Sequence, residues 1–444
     1  MAAAGAPGQD AALRATVESV ALELCRALEL SIPVGKDSLS MRTRWSRDQV
    51  EHVMTAPVSL NVSAFAPMAD VRMHVTPALD RDRTESVLLL LAPRTRRLGG
   101  SALAQVFDRS LGAVPDIDDA EALAALFDTV QALVRARRVL ALHDRSDGGL
   151  FTTVLEMALA GRAGVRLRLP DDVEPLAELF NEEIGLVLQV DGDQLEALRS
   201  AFVDAGLDDW LRTVGTLAPA EDSAAARFQV HAGGRLLLDR SLPQLHRHWH
   251  ATSHRIQRLR DHPECADQEL EALCDWRRPG LSPALSFERR SPAFNTGAKP
   301  RVAVLREQGV NGQREMAMAF ERAGFIAVDV HMSDLENGRR TLDEFQGLAV
   351  CGGFSFGDVL GAGRGWARSI LFNDPLARQF QRFFEDRQRF ALGVCNGCQM
   401  LSALAAIIPG SDHWPRFVAN HSRQFEARLS QVEIVESASI LLTG

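Results

Sequence analysis

Ala391-Leu392-Gly393-Val394-Cys395-Asn396-Gly397-Cys398-Gln399 is an apolar strand that runs into a glycine-flanked residue and at once into a helix. A turn this sharp needs small neighbours. It lifts one side chain above the sheet edge and puts its thiol at a helix N-terminus, where the dipole favours a thiolate. Cys395 is therefore placed to attack a carbonyl, with the N–H of Asn396 as one oxyanion donor. Upstream, strand and helix patterns alternate: Val302 to Leu305, Arg314 to Ala323, Ala327 to Val330, Gly347 to Cys351, Ala391 to Val394, and a helix from Gly397. That alternation predicts an α/β unit with a doubly wound parallel sheet.

A second loop, Cys351-Gly352-Gly353-Phe354-Ser355-Phe356-Gly357-Asp358, also follows a strand. Alone, its Gly-Gly pair is an ordinary tight connection. With an elbow about 40 residues later at the next strand end, where ligands gather in open α/β sheets, it reads as a functional loop with Gly353 as the second oxyanion donor. The Cys395-x-x-Cys398 spacing also occurs in redox and zinc sites. That reading is the weaker one, because no second cysteine pair follows, and Cys398 reads as a small hydrophobe packed in the helix.

The chain has 444 residues, enough for several units, with 46% apolar and 24% charged residues. No window approaches the ~20 apolar residues of a membrane span, and no basic segment accompanies the small residues Ala2 to Ala6, so a soluble cytoplasmic protein is expected. A net charge of −9 with interspersed basic residues gives no electrostatic footprint for nucleic acid and disfavours polyanion binding. The six cysteines are too sparse for a disulfide framework. Lys36 and Lys299 are the only lysines, which makes a lysine in a glycine-bearing loop informative.

In the first part, a helix is expected from Ala11 to Leu30, strands at Pro57 to Phe65 and Ser86 to Leu91, and a helix from Glu121 to Leu140. A strand at Val139 to Leu142 and a helix at Gly149 to Leu159 complete an α+β pattern. From Ser241 to Pro300 a polar stretch reads as a connector with one or two helices, closing at Asn295-Thr296-Gly297, with a domain boundary near Lys299. Ile32-Pro33-Val34-Gly35-Lys36-Asp37-Ser38 lacks the Gly-x-x-x-x-Gly-Lys-Ser/Thr spacing and on spacing alone is a surface turn. Leu142-His143-Asp144-Arg145-Ser146-Asp147-Gly148-Gly149 is more specific, since acids, a hydroxyl and a glycine-opened helix suit Mg²⁺ with phosphate. Its alternative is a helix capped by Ser146 or Asp147, with Asp144 and Arg145 solvated. Asn181-Glu182-Glu183 reads as a loop before the strand Ile184 to Val190. His246, His248, His250 and His254 could bind metal but, without a carboxylate pattern, read as a solvated face.

Together, Ser31 to Met41 (SIPVGKDSLSM), His143 to Gly149 (HDRSDGG), Val304 to Asn311 (VLREQGVN), Cys351 to Gly361 (CGGFSFGDVLG) and Gly393 to Met400 (GVCNGCQM) closely resemble the phosphoribosylformylglycinamidine synthase family, in its large single-chain form and in the same order. The resemblance covers essentially the whole chain. It implies an aminoimidazole ribonucleotide synthetase-like α+β half and a class I glutamine amidotransferase domain. The expected divisions are 1–82 and 83–240 for the two synthetase-like parts, 241–298 for a linker and 299–444 for the amidotransferase. The implied activity uses ATP and Mg²⁺ to phosphorylate the amide oxygen of formylglycinamide ribonucleotide, and ammonia from glutamine then displaces phosphate to form the amidine. Carried over residue by residue, Cys395 is the nucleophile, Gly353 and Asn396 the oxyanion hole, Gln399 part of the glutamine pocket, Asp144 a magnesium ligand, and Ser146 and Lys36 ATP-binding residues. The resemblance further implies purine biosynthesis, no nucleic-acid or membrane partner, and a monomer at full length.

Two departures bear on activity. The family's tyrosine in this glycine loop is Phe356, which loses a hydroxyl and keeps the ring. The family activates its cysteine with a His-x-Glu pair, and none follows Cys395; His413 and His421 do not fit. The expectation is a piece truncated at both ends, inactive as a glutaminase, with a catalytically incomplete nucleotide-binding scaffold as the alternative.

Overall fold

The computed structural model describes residues 1–278, 280–285, 297–437 and 439–442. The chain divides into two units, Met1–Pro279 and Gly280–Gly444.

In the first unit, the expected early helix is α-helical over Gln9–Val17 and Cys25–Ala27, with the wider π-helical winding between them at Glu18–Leu24. An antiparallel hairpin follows, β1 (Arg42–Arg47) and β2 (Val50–Thr55), which pairs with no third strand among the described residues. The strand expected at Pro57 to Phe65 is absent: those residues are irregular, with Leu60, Val62 and Phe65 exposed. Their alternation is real, but a strand needs a neighbour to take its backbone hydrogen bonds, and no ladder is offered there.

The main sheet has seven strands in the order β4-β6-β3-β7-β5-β8-β9. They are β3 (Ser86–Leu91), β4 (Ala141–Asp144), β5 (Val165–Leu169), β6 (Leu186–Asp191), β7 (Leu211–Leu217), β8 (Arg227–Ala232) and β9 (Arg235–Ser241). All pairings are antiparallel except β5 with β8. Residues 87–91 of β3 are an unbroken apolar run, as suits a strand with both faces covered. Leu88 and Leu90 enter one core with Leu150, Val154 and Phe228, whereas Leu89 and Leu91 enter another with Leu126, Val130 and Phe202.

The helix Ala120–Arg135 is capped by Asp119, whose side chain accepts the Ala122 N–H, and buries Leu123, Leu126, Val130 and Leu133 on one face. It ends earlier than the expected Leu140 because the chain turns through Arg137 in the left-handed region. The following strand accordingly falls at Ala141–Asp144, two residues later than Val139 to Leu142. The stretch after Ser241 forms two helices, Leu242–Arg260 and Pro263–Cys274, and Leu242, Leu245 and Trp276 are buried in the first core. Asn295 and Thr296 lie outside the described residues.

The second unit bears out the alternation. β10 (Arg301–Arg306), β11 (Ile326–His331), β12 (Gly347–Val350) and β13 (Phe390–Gly393) form a parallel sheet in the order β11-β10-β12-β13. Ala303, Leu305, Leu348 and Val350 face a core with Trp366, Phe380 and Met400, while Val302 and Ala349 face Phe320 on the other side. The helices Met332–Glu336, Arg364–Leu371 and Asp374–Glu385, unforeseen in the sequence, lie between the strands along the chain.

Candidate active site

The elbow is built as its residue types require. After β13, the Val394 N–H donates to the Val350 carbonyl at 3.0 Å, and Cys395 turns the chain with φ 53° and ψ −114°, a conformation that an L-residue adopts only under constraint. The helix Asn396–Ala403 begins at the next residue. Gly397 is obligatory here, since a Cβ on it would stand 2.2 Å from the Val350 carbonyl oxygen. Cys395 itself is exposed, and Cys398 is half-buried one turn further in, where burial raises its thiol pKa, with Cys395 a lesser cause.

The glycine loop comes up against the nucleophile: a Cβ on Gly352 would lie 3.1 Å from that of Cys395. Gly353 has φ 142°, and a side chain there would collide with the backbone of Val310 at 2.6 Å. The loop's outer edge is held by the Asn311 N–H on the Gly352 carbonyl (3.3 Å) and the Phe354 N–H on the Gly309 carbonyl (2.9 Å). That bridge leaves the Gly353 N–H without a protein acceptor among the described residues, and the Asn396 N–H is likewise unengaged as the first of its helix. Two free N–H groups beside an exposed thiol at a helix N-terminus suit acyl transfer. Gln399 lies in the first turn, its N–H on the Cys395 carbonyl at 3.1 Å. Among the described residues no histidine or carboxylate hydrogen-bonds the Cys395 thiol.

The Asn396 side chain, unremarked in the sequence, is 1% exposed. Its Oδ1 accepts from the Ser355 hydroxyl (2.7 Å) and N–H (3.3 Å), and its Nδ2 donates to Asp358 (3.0 Å).

In the first unit, β4 delivers Asp144 to its exposed end. The Ser146 hydroxyl donates to the Asp144 carboxylate and, with lesser help from His143, holds it below the usual carboxylate range. The expected cap by Ser146 or Asp147 is not formed: Gly148, left-handed at φ 83°, is the N-cap of the helix Gly149–Gly161, and no side chain caps it. Arg145 is not solvated either. It is 6% exposed, its guanidinium donates to the Glu183 (2.6 Å) and Ile184 (2.9 Å) carbonyls, and burial pushes it down to about 10. Lys36 is exposed with its ammonium on the Asp37 carbonyl, and no hydrogen bond or ion pair ties it to the Asp144 loop.

Asn181-Glu182-Glu183 is more than a loop. Glu182 accepts the N–H of Gly148 (2.7 Å) and of Ala102 (2.9 Å), fixing the turn after Ser146. Glu183, 0% exposed, pairs with Arg97 at 2.7 Å, and Arg97 also reaches Asp118. Nearby Glu178, 1% exposed, pairs with Arg96 and with Arg212 (2.7 Å). Burial pushes the Glu183 carboxyl up, but the Arg97 hydrogen bonds outweigh it and the net shift is downward. A depressed carboxylate contributes stability in full above its ordinary value of 4.5 and loses it as pH falls through the folded value. Acid titration followed by circular dichroism is thus expected to show the first unit losing stability below that pH, with a shallower dependence in Glu183→Gln.

Three of the four histidines have protein partners, and the fourth, His248, is exposed. His246, His250 and His254 share one face of the helix Leu242–Arg260. His246 Nδ1 accepts the Trp276 indole N–H (3.1 Å), its Nε2 meets His250 Nε2 (3.1 Å), and His254 bonds Asp267 (2.9 Å). With both ring nitrogens of His246 engaged, a metal would have to displace these bonds.

Comparison with known families gives three matches along the chain. Residues 1–67 match the FGAR-AT PurM_N-like domain, residues 83–225 the C-terminal domain of AIR synthase related protein, and residues 299–444 the CobB/CobQ-like glutamine amidotransferase domain. Among solved structures, PurL of Thermotoga maritima complexed with ATP is 15% identical with a TM-score of 0.31, covering 44% of this chain and 28% of that one. The same protein complexed with FGAR is 13% identical with a TM-score of 0.32, covering 50% and 33%. The hydrogenase maturation protein HypE in complex with ATP is 21% identical with a TM-score of 0.26, covering 36% and 53%. The chain thus spans about a third or less of the PurL chains it matches.

Proposed function

The chain belongs to the formylglycinamide ribonucleotide amidotransferase family, and from that premise we propose that its second unit carries the nucleophile of a glutaminase and its first unit part of an ATP-dependent synthetase. The whole enzyme converts formylglycinamide ribonucleotide to its amidine with glutamine as nitrogen donor, in purine biosynthesis. The observation that carries this reading is the strained, exposed Cys395 beside two unengaged N–H groups at a helix N-terminus. The Cys395 thiolate attacks the glutamine carboxamide carbon, and the oxyanion falls to the Gly353 and Asn396 N–H groups. Ammonia leaves once protonated, and water releases glutamate from the γ-glutamyl thioester. Gln399 shapes the glutamine pocket.

In the first unit, Asp144 and Ser146 offer hard oxygen donors at an exposed strand end, which suits Mg²⁺, with nucleotide phosphate approaching the helix Gly149–Gly161. Asp144 would hold the ion and Ser146 contact ATP; Lys36 joins them only if the loop it sits on moves on binding. Phosphate transferred to the substrate's amide oxygen makes a leaving group that ammonia displaces.

A second reading, a nucleotide-binding scaffold without turnover, is favoured by the absence of any base at Cys395 among the described residues. Removing one member of a catalytic unit costs nearly as much as removing all. Calorimetry with ADP and Mg²⁺, run beside a glutaminase assay on one sample, tests both. Saturable ADP binding that requires Mg²⁺ and is lost in Asp144→Asn is expected, with glutamine turnover at background. No ADP binding would remove the nucleotide reading, and efficient turnover would remove the scaffold.

A further inference from the structure

Asn396 holds two roles at once. Its backbone N–H belongs to the elbow, while its carboxamide is spent on the opposite loop. We propose that Asn396 is a positioning residue of the glutaminase site, a latch that ties the loop bearing Gly353 to the elbow bearing Cys395 so that the two oxyanion N–H groups keep a common aim. The inference rests on reading Cys395 as the glutaminase nucleophile.

From Ser355 to the second latch point, Phe356, Gly357 and Asp358 have φ of 53°, 61° and 54°. A run of three left-handed residues, two with side chains, persists only where the surroundings impose it. On one side the segment 308–311 imposes it, through the bridge to Gly353 and the Phe356 N–H on the Gln308 carbonyl at 3.0 Å. On the other side the Asn396 carboxamide does, with acceptor and donor ends both used, on Ser355 and Asp358 respectively. Ser355 and Asn396 are each 1% exposed, so water cannot take over the bonds between them, while the bond to Asp358 is only partly buried. Neither isostere fits: an aspartate at 396 would face the Asp358 carboxylate with no proton to give, and a leucine would orphan the buried Ser355 hydroxyl.

The test is the rate of modification of Cys395 in the 444-residue chain by two reagents, in buffer alkaline enough to form the thiolate, read by mass spectrometry of its peptide. The chloroketone analogue of glutamine presents a carbonyl whose oxygen needs the oxyanion donors; iodoacetamide reacts by direct displacement and does not. In Asn396→Ala, the wild-type preference for the chloroketone is expected to fall about tenfold or more, part of the loss seen when an oxyanion donor is removed outright. Ser355→Ala, which keeps its N–H on the latch, should lose about threefold. Iodoacetamide rates should stay within about twofold of wild type. Preference retained in both variants, or both reagents slowed alike, would overturn the latch while leaving the nucleophile reading intact. Should circular dichroism show Asn396→Ala unfolded, Ser355→Ala decides. No chloroketone preference in the wild-type chain would instead overturn the reading on which the latch rests.

Discussion

Glu178→Ala is expected to cost the first unit about 3–5 kcal/mol, the range for breaking a buried ion pair by removing one partner. The carboxylate is 1% exposed and receives Arg96 and Arg212, whose own side chains are 28% and 13% exposed. A third guanidinium, Arg145, is buried beside them, its charged form disfavoured by Arg212 and Arg96 and favoured by Glu183 and Glu178. Without Glu178, Arg96 and Arg212 lose the carboxylate they share, and Arg145 keeps Glu183, which is already engaged by Arg97. Urea unfolding should therefore show a midpoint shift at unchanged slope. Glu178→Gln, which keeps an acceptor and the volume, should lose less. A loss below about 1 kcal/mol in the alanine variant, the size of an exposed pair, would show that the cluster is solvated in solution. The loop of Asp144 hangs on this network through Arg145 and Glu182, so the same variant should weaken ADP binding.

Cys395→Ala is expected to abolish covalent capture of the glutamine chloroketone, by a factor above about a hundred, with no loss of fold. The side chain is exposed and makes no hydrogen bond among the described residues, so its removal leaves no cavity and orphans no partner. Cys398 should not take its place. Its thiol is half-buried and its pKa raised by that burial, which disfavours the thiolate, and its sulfur is less accessible than that of exposed Cys395. Adduct shifting to Cys398 in the variant would favour a redox or metal reading of the pair.

The elbow was legible because everything that makes it is local: an apolar strand, glycines at 393 and 397, and a helix beginning at once. The parallel sheet was legible for the same reason, from strands and helices that alternate in order. The latch was not, because Ser355 and Asp358 reach Asn396 across about 40 residues of chain and through left-handed residues whose types do not announce it. Burial of Glu178 and Glu183 was hidden likewise, since their arginines come from Arg96, Arg97 and Arg212. The alternation at 57–65 misled because it reports a ribbon with two unlike faces and says nothing about a neighbouring strand. At Ser146, a hydroxyl before a helix suggested a cap, whereas Gly148 made the turn and left Ser146 to Asp144.

The most direct test is protection of Cys395 by substrate. The 444-residue chain is treated with the glutamine chloroketone, with and without excess L-glutamine, and every cysteine peptide is quantified by mass spectrometry. A glutaminase nucleophile gives one adduct, on Cys395, that L-glutamine suppresses and D-glutamine does not. Label spread over several of the six cysteines, or an adduct on Cys395 indifferent to L-glutamine, would contradict it.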